Sequence, residues 1–253
     1  MRLTEKIRIH GAWLFRWRGT VPLLLLPVVL LALPASSQVD KIIGERADHL
    51  LFFVCLAVSY VGLAVRWFTV GFVPAGTSGR NTNEQRAHEL NTSGVYSVVR
   101  NPLYVGNFLA LLGVILSLKV WWLVAIFVLA YALYIERVVA AEEDFLSRRF
   151  GRTYDEWAAP TPAFLPRLRS WQPPAAKFSL VTVLRREYAG VMAVALAFCV
   201  PEFVLDVVVK GEPLCTWATD DAAPLIVFAA SAVAYVALRF LKRHTRLLQV
   251  AGR

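Results

Sequence analysis

The sequence predicts an all-α, polytopic membrane protein with about six transmembrane helices. Of the 253 residues, 57% are hydrophobic, and the mean hydropathy of the whole chain is positive, at +0.54. A soluble domain of this length has a lower apolar content. The apolar residues also form runs of roughly 16–22 residues, several of them near the lower length limit for a membrane span. The predicted spans cover residues 15–33, 50–67, 103–118, 120–135, 188–209 and 222–241.

The first span follows a basic amino-terminal segment and ends at Leu33-Pro34-Ala35-Ser36, a pattern similar to a cleavable signal peptide. The segment before the apolar run is long for a signal peptide and contains Trp13, Phe15 and Trp17. We therefore expect a retained helix. The second span is predicted only to be a membrane helix.

The third and fourth spans form an apolar hairpin that is interrupted only by Ser117-Leu118-Lys119. Two antiparallel helices of this length bring the residues before the third span and after the fourth span to the same membrane face. Residues 135–149 contain no Gly or Pro, so the fourth helix is predicted to continue beyond the membrane.

A proline-rich segment separates the fourth and fifth spans. The prolines Pro160, Pro162, Pro166, Pro173 and Pro174 exclude one continuous helix. We expect this segment to run along the membrane surface with Trp157, Phe164 and Trp171 at the interface. The resulting organisation is an amino-terminal part (1–70), a core with the hairpin and its polar motifs (71–170), and a two-helix carboxy-terminal addition (171–253).

The fifth span contains two carboxylates, Glu202 and Asp206, four residues apart on one helix face. A carboxylate inside a membrane is costly unless it is paired, hydrated or protonated. Either these side chains reach the outer headgroup layer, or they make a polar contact with another span.

The basic residues are unevenly distributed between the predicted loops. The amino terminus, residues 66–100, residues 137–186 and the carboxy-terminal tail hold 23 of the 27 Lys and Arg residues. The positive-inside rule then places both termini in the cytoplasm, and we expect a multi-pass protein of the cytoplasmic (inner) membrane. Topology and anionic lipid explain the net charge of +9, so no nucleic-acid partner is expected. The three cysteines share no metal-binding or redox spacing, and no metal site is predicted.

The start of the third span combines features of a helix start with those of an anion site. Asn101 is a favoured N-cap residue and Pro102 a favoured first helical residue. The free N–H groups and positive dipole end of this helix, beside Arg100, are also suited to an anion. Tyr104 adds an aromatic face, and Gly106 offers close approach to the backbone. The loop 71–94, which contains Arg80, has the composition either of an anion-binding loop or of an ordinary flexible loop.

The acidic residues of the fourth helix have two possible roles. Glu136 and Glu143, seven residues apart, share one helix face. They form either a solvated acidic face paired with Arg148 and Arg149 or a partner for the ammonium group of a ligand.

Three motifs in this order resemble those of the integral-membrane isoprenylcysteine carboxyl methyltransferase and phospholipid methyltransferase superfamily. They are Arg100-Asn101-Pro102-Leu103-Tyr104-Val105-Gly106, Glu142-Glu143-x-x-Leu146-x-x-x-Phe150-Gly151-x-x-Tyr154 and Pro162-x-Phe164-x-Pro166. The resemblance covers about residues 90–166 and leaves the last two spans outside the minimal core. It implies S-adenosylmethionine as cofactor, bound at the cytoplasmic face, and a lipid or lipid-linked methyl acceptor.

The resemblance also implies roles for individual residues. The cofactor-binding positions are Arg100, Asn101, Leu103, Tyr104, Gly106, Glu142 and Glu143. Apart from the resemblance, we consider Arg100, Glu136 and Arg137 as catalytic candidates. The arginines Arg80, Arg100, Arg137 and Arg152 either bind an anionic headgroup of the acceptor or are solvated surface residues, and Arg80 and Arg152 are the candidates to bind the acceptor. We expect removal of Glu142 or Glu143 to weaken cofactor binding, and removal of Glu136 to affect turnover more.

The chain departs from the family at one position, since the family commonly has His where this chain has Asn101. Asn donates and accepts hydrogen bonds but does not titrate near neutral pH. Methyl transfer depends mainly on alignment, and an ionised carboxylate or phosphate acceptor needs no base, so this difference slightly favours an anionic acceptor. The alternatives are a non-catalytic lipid-binding or transport protein and a membrane scaffold with a basic face.

Overall fold

The computed structural model describes residues 3–74, 89–220 and 222–249. Within these residues the protein is all-α, with one isolated β-bridge between Gly94 and Gln172. The α-helices are α1 (Leu3–Arg16), α2 (Leu26–Ile43), α3 (Glu45–Phe72), α4 (Pro102–Ser117), α5 (Trp121–Phe150), α6 (Arg152–Ala158), α7 (Leu180–Phe203), α8 (Leu214–Asp220) and α9 (Ala222–His244). Short 3₁₀ helices cover Val21–Leu25, Val95–Ser97 and Leu168–Ser170, and a π-helix covers Val204–Val209.

Five helical segments of the described residues are long and apolar enough to cross a membrane, and α4 is a shorter apolar helix. The five segments are Val21–Val39, Arg46–Phe72, Trp121–Phe150, Leu180–Val209 and Ala222–His244. The predicted all-α polytopic membrane fold is therefore confirmed.

The first apolar segment begins later than predicted. The chain turns at residues 17–20, where the Thr20 hydroxyl donates a hydrogen bond to the Trp17 carbonyl at 3.0 Å. Pro22 then lies at the start of the 3₁₀ helix. The predicted span 15–33 consequently divides between the end of α1, this turn and α2, because a turn precedes the proline and interrupts the apolar run.

The hairpin of α4 and α5 agrees with the prediction. Its turn contains Lys119 in the left-handed region, with φ of 60°. The Lys119 ammonium pairs with the Asp48 carboxylate near the start of α3. As predicted, α5 continues beyond the apolar run and ends before Gly151, whose φ of 55° favours glycine.

Small residues allow α3 and α4 to approach closely. A Cβ atom at Gly62 would lie 2.4 Å from the Ala110 nitrogen, and one at Gly113 would lie 2.2 Å from Ser59 Oγ. The Ser59 hydroxyl also donates a hydrogen bond to the Ala110 carbonyl at 2.7 Å. Close backbone contact of this kind is a main source of helix association in membranes, where burial of apolar side chains gives little driving force.

Some of the remaining helices pack against this pair and others against one another. α7 packs against α3, α4 and α9, while α1 lies along α5. At the α1–α5 contact, a Cβ atom on Gly11 would lie 2.0 Å from the Arg137 carbonyl oxygen. This close approach places the end of α1, including Phe15, against Val138 and Val139 of α5.

We expect Gly62→Ala to lower the melting temperature of the protein in detergent, because the added methyl group must push α3 and α4 apart. Overpacking of this kind typically costs about 1–3 kcal/mol. The matched control is Gly19→Ala, since a Cβ atom there meets nothing within 4 Å. Equal melting temperatures for both variants would contradict the described helix contact.

Candidate functional site

A cavity of about 520 Å³ lies among α1, α3, α4, α5, α6 and α7. Its volume is within the range of small-molecule sites, about 300–1,000 Å³. The structure brings most of the predicted cofactor-binding residues to this cavity: Arg100, Asn101, Leu103, Tyr104, Glu142 and Glu143 line it.

Hydrogen bonds to the proline-rich segment fix the start of α4. The Arg100 amide donates to the Pro162 carbonyl at 2.9 Å, and the Arg167 amide donates to the Val98 carbonyl at 2.9 Å. Asn101 occupies the N-cap position, but its side chain does not cap the helix. The Asn101 amide instead donates to the Ala163 carbonyl at 3.2 Å. The proline-rich segment is thus tied to the first predicted motif, and Asn101 holds the two together.

Arg100 connects three parts of the site. One guanidinium nitrogen, Nη1, donates to the Ala158 carbonyl at the end of α6, at 2.7 Å. The other, Nη2, lies 2.9 Å from Glu143 Oε1 on α5. The side chains are partly exposed, 21% for Arg100 and 31% for Glu143, so both remain accessible from the cavity.

Glu142, the neighbouring carboxylate, is held by a tyrosine of α4. The Tyr104 hydroxyl donates to Glu142 Oε2 at 2.9 Å. The Tyr131 hydroxyl in turn donates to the Tyr104 carbonyl at 2.7 Å. Consecutive glutamates of α5 are therefore oriented by two different residues of the first motif, Tyr104 and Arg100.

Three buried polar atoms around the cavity have no hydrogen-bond partner among the described residues: Arg100 Nε, Glu143 Oε1 and Trp157 Nε1. Glu143 Oε1 nevertheless forms the 2.9 Å ion pair with Arg100 Nη2. Buried polar groups are normally hydrogen-bonded, and such exceptions require an explanation. Two N–H donors beside a carboxylate acceptor complement a ligand that carries both a carboxylate and an ammonium group.

Two further phenol groups lie at the cavity, outside the membrane-spanning segments. Burial raises the pKa of Tyr154, and the negative charge of Glu143 raises it further. Burial and the charge of Glu142 likewise raise the pKa of Tyr96. Both hydroxyl groups therefore stay protonated at physiological pH and present neutral donors.

A buried polar network at the cavity was not predicted from the sequence. Arg66 of α3 contacts both oxygens of Glu187 on α7, with Nε to Oε2 at 2.8 Å and Nη2 to Oε1 at 3.0 Å. Its Nη1 donates to Asn107 Oδ1 of α4 at 2.6 Å. A sequence signal existed, because a charged residue within an apolar span indicates a functional or paired site.

The charges around the cavity balance. Among the described lining residues there are four arginines and four glutamates: Arg18, Arg66, Arg100, Arg186, Glu89, Glu142, Glu143 and Glu187. Of the four arginines proposed from the sequence to bind an anionic headgroup (Arg80, Arg100, Arg137 and Arg152), only Arg100 is in this set.

The other predicted site residues lie elsewhere. Gly106 is buried against α3, where a Cβ atom would lie 2.7 Å from the Gly62 carbonyl oxygen, so a helix and not a ligand makes the close approach. Glu136 is exposed, and Arg137 donates to the Leu133 carbonyl of its own helix. Arg152 pairs with Glu156 at 2.6 Å and is 91% exposed. None of these four residues lines the described cavity, and Arg80, with most of its loop, lies outside the described residues.

The family comparison agrees with the motifs. The family model described as phospholipid methyltransferase matches residues 52–153. The chain is also 29% identical over 131 residues to the protein-S-isoprenylcysteine O-methyltransferase of Schizosaccharomyces pombe, a match that covers 52% of this chain and 54% of that protein. No solved structure gives a significant match.

Two further relatives are named as metal resistance proteins. The nickel-cobalt-cadmium resistance protein NccN of Alcaligenes xylosoxydans xylosoxydans is 36% identical over 154 residues, 60% of this chain and 63% of that protein. The cobalt-zinc-cadmium resistance protein CzcN of Cupriavidus metallidurans is 42% identical over 91 residues, 36% of this chain and 39% of that protein. The chain thus spans less than two thirds of the length of each of these curated relatives.

We expect Glu187→Gln to destabilise the protein strongly, because it leaves the Arg66 guanidinium in a buried site with one charged partner removed. Breaking a buried ion pair costs about 3–5 kcal/mol. In a double-mutant cycle measured by thermal melting, Arg66→Gln combined with Glu187→Gln should cost less than the two single variants added together.

The control for this cycle is Asp144→Asn, which removes the ion pairs of Asp144 with Arg8 and Arg148. The three side chains are 33%, 44% and 64% exposed, respectively. Exposed pairs contribute about 0–1 kcal/mol. Additive effects of the Arg66 and Glu187 variants would contradict a direct pair between these residues.

Proposed function

We propose that this chain transfers a methyl group from S-adenosylmethionine to a lipid or lipid-linked acceptor. Its residues 52–153 belong to the superfamily of integral-membrane isoprenylcysteine carboxyl methyltransferases and phospholipid methyltransferases. The reaction takes place in the cavity described above. The distribution of basic residues in the sequence supports a cytoplasmic cofactor site, with both termini on that side of the inner membrane.

Two buried N–H groups without a hydrogen-bond partner among the described residues, Arg100 Nε and Trp157 Nε1, carry the proposal for the cofactor, together with the neighbouring Glu143 carboxylate. S-adenosylmethionine has a carboxylate that Arg100 Nε and Trp157 Nε1 can bind, and an ammonium group that Glu143 can bind. The donor set therefore fits the amino-acid part of this cofactor. When bound, the cofactor supplies a methyl group on a sulfonium, whose C–S bond breaks as the acceptor forms the new bond to carbon.

The residues of the chain contribute mainly by positioning. Arg100 is fixed by the Ala158 carbonyl and the Glu143 carboxylate, and Glu142 is fixed by Tyr104. These contacts hold the ligand-binding side chains in place before the reaction. Alignment of the two reactants by such side chains supplies a large part of the acceleration of a two-reactant step. Since Asn101 cannot titrate near neutral pH and donates to the Ala163 carbonyl, it takes no part in proton transfer.

The location of the cavity supports a lipid acceptor. Its walls include α3, α5 and α7, all long enough to cross a membrane. An acceptor with an apolar chain can therefore enter from the bilayer, while the polar cofactor binds among the residues that precede α4 and follow the apolar part of α5. An anionic headgroup, phosphate or carboxylate, remains slightly favoured because it needs no base.

The names of two relatives do not lead to a proposal of metal binding. Within residues 3–74, 89–220 and 222–249, no group of three or more His, Cys, Asp or Glu side chains lies close enough to hold a metal ion. The described site therefore offers no ligand set from which such a function could be argued.

We expect Glu143→Gln to raise the dissociation constant of S-adenosylmethionine about ten- to a hundredfold, because a charge-assisted hydrogen bond contributes about 1.5–3 kcal/mol. Isothermal titration with purified protein in detergent measures this change. The control is Glu156→Gln on α6, whose side chain is 64% exposed and outside the cavity. Unchanged cofactor affinity in Glu143→Gln would reject the assignment of Glu143.

A transfer assay with radiolabelled methyl groups and a total membrane lipid extract tests the reaction itself. Label in the lipid fraction is the expected result, and it also separates an enzyme from a lipid-binding, transport or scaffold protein. Absence of S-adenosylmethionine binding by the folded wild-type protein would overturn the enzyme proposal.

A further inference from the structure

One wall of the cavity comes from outside the segment that matches the family. Helix α7 begins 27 residues after that segment ends at residue 153, yet it contributes Arg186, Glu187, Gly190, Ala193 and Val194 to the cavity lining. Arg186 and Glu187 are charged, and Gly190 and Ala193 are small, in a largely apolar helix. Their presence there requires a reason beyond membrane insertion.

Glu187 fixes the position of Arg66. Its side chain is 4% exposed, and both of its oxygens contact the guanidinium. Asn107 accepts a third N–H from Arg66. A guanidinium has five N–H groups, so two remain unused by the contacts of Arg66 within the described residues. Acceptors on two different helices thus hold Arg66 while it retains donors at the cavity wall.

Gly190 leaves an apolar space beside this arginine. A Cβ atom at Gly190 would lie 3.4 Å from Leu63 Cδ2 and 3.9 Å from Glu187 Oε2. Leu63 and Val194 line the cavity as well. Because glycine has no side chain, the cavity reaches the surface of α7 at this point, within a helix that can cross the membrane.

We propose that this part of the cavity, formed by Leu63, Arg66, Gly190 and Val194 and here called the α7 corner, receives the acceptor lipid. The apolar chain lies beside Gly190, and an oxygen of the headgroup accepts a hydrogen bond from Arg66. Glu187 is a positioning residue that holds Arg66. The inference rests on the proposed methyl transfer but separates the acceptor from the cofactor, which binds around Arg100 and Glu143.

The first test fills the α7 corner. Gly190→Leu places a branched side chain in the space next to Leu63. The matched control is Ala230→Leu, at an exposed position of α9 outside the cavity lining. We expect Gly190→Leu to lower methyl transfer to a total membrane lipid extract by about tenfold or more, with the dissociation constant of S-adenosylmethionine within about twofold of wild type. Ala230→Leu should remain close to wild type in both measurements.

The second test concerns Glu187 as a positioning residue. Glu187→Gln should raise the KM for lipid in mixed micelles, with the dissociation constant of S-adenosylmethionine unchanged, and Glu187→Asp should partly restore the KM. A merely structural role would lower the amount of folded enzyme without moving the KM for lipid selectively.

A binding measurement independent of catalysis uses Gly190→Cys in a Cys215→Ser background. Cys215 is the exposed native cysteine, while Cys55 and Cys199 are buried. We expect the lipid extract to slow labelling of the introduced thiol by a thiol reagent, and S-adenosylmethionine alone to leave the labelling rate unchanged.

These measurements separate the two proposals. Lack of protection by lipid, protection by S-adenosylmethionine alone, or unaltered transfer in Gly190→Leu would each overturn the assignment of the α7 corner. Protection of Gly190→Cys by lipid, together with no binding of S-adenosylmethionine by the folded wild-type protein, would overturn the proposed methyl transfer and leave the lipid site supported.

Discussion

The architecture depends on how charged side chains are accommodated between apolar helices. An unpaired charge in this setting is costly, and the contacts of Arg66 with Glu187 and Asn107 solve the problem with residues from α3, α7 and α4. The same contacts fix the relative position of the three helices at the cavity. The contacts that pair the Arg66 charge are therefore also the contacts that shape the cavity. A substitution of Arg66 or Glu187 affects both the pairing of the charge and the shape of the cavity.

The proline-rich segment has a comparable role at the other side of the cavity. Its backbone carbonyl groups at Pro162 and Ala163 accept hydrogen bonds from Arg100 and Asn101. Proline cannot continue a helix, so the chain after α6 stays extended enough to reach the start of α4. The motif at residues 100–106 consequently receives its geometry from residues some sixty positions later in the sequence.

The sequence predicted the elements that depend on local patterns. The apolar runs gave the membrane helices, and the absence of Gly and Pro after Ile135 gave the extension of α5. The break at residues 17–20 was not predicted, because it depends on a local turn within an apolar stretch. Of the predicted cofactor-binding residues, Arg100, Tyr104, Glu142 and Glu143 line the cavity, and their roles stay predictions. Arg66 and Glu187 line it as well but were not singled out from the sequence. These two residues are 121 positions apart, and only helix packing determines that they meet.

The balanced set of arginines and glutamates around the cavity also has a consequence for ionic strength. The electrostatic potentials of opposite charges that lie close together largely cancel at a distance. Salt screens what remains beyond about 8–10 Å, the screening length at physiological ionic strength. The opposite charges of the described lining residues thus contribute little long-range attraction or repulsion, and these side chains act on a ligand through short contacts. Their contribution to ligand affinity should therefore vary little with salt concentration, in contrast to that of a binding site whose charges have one sign.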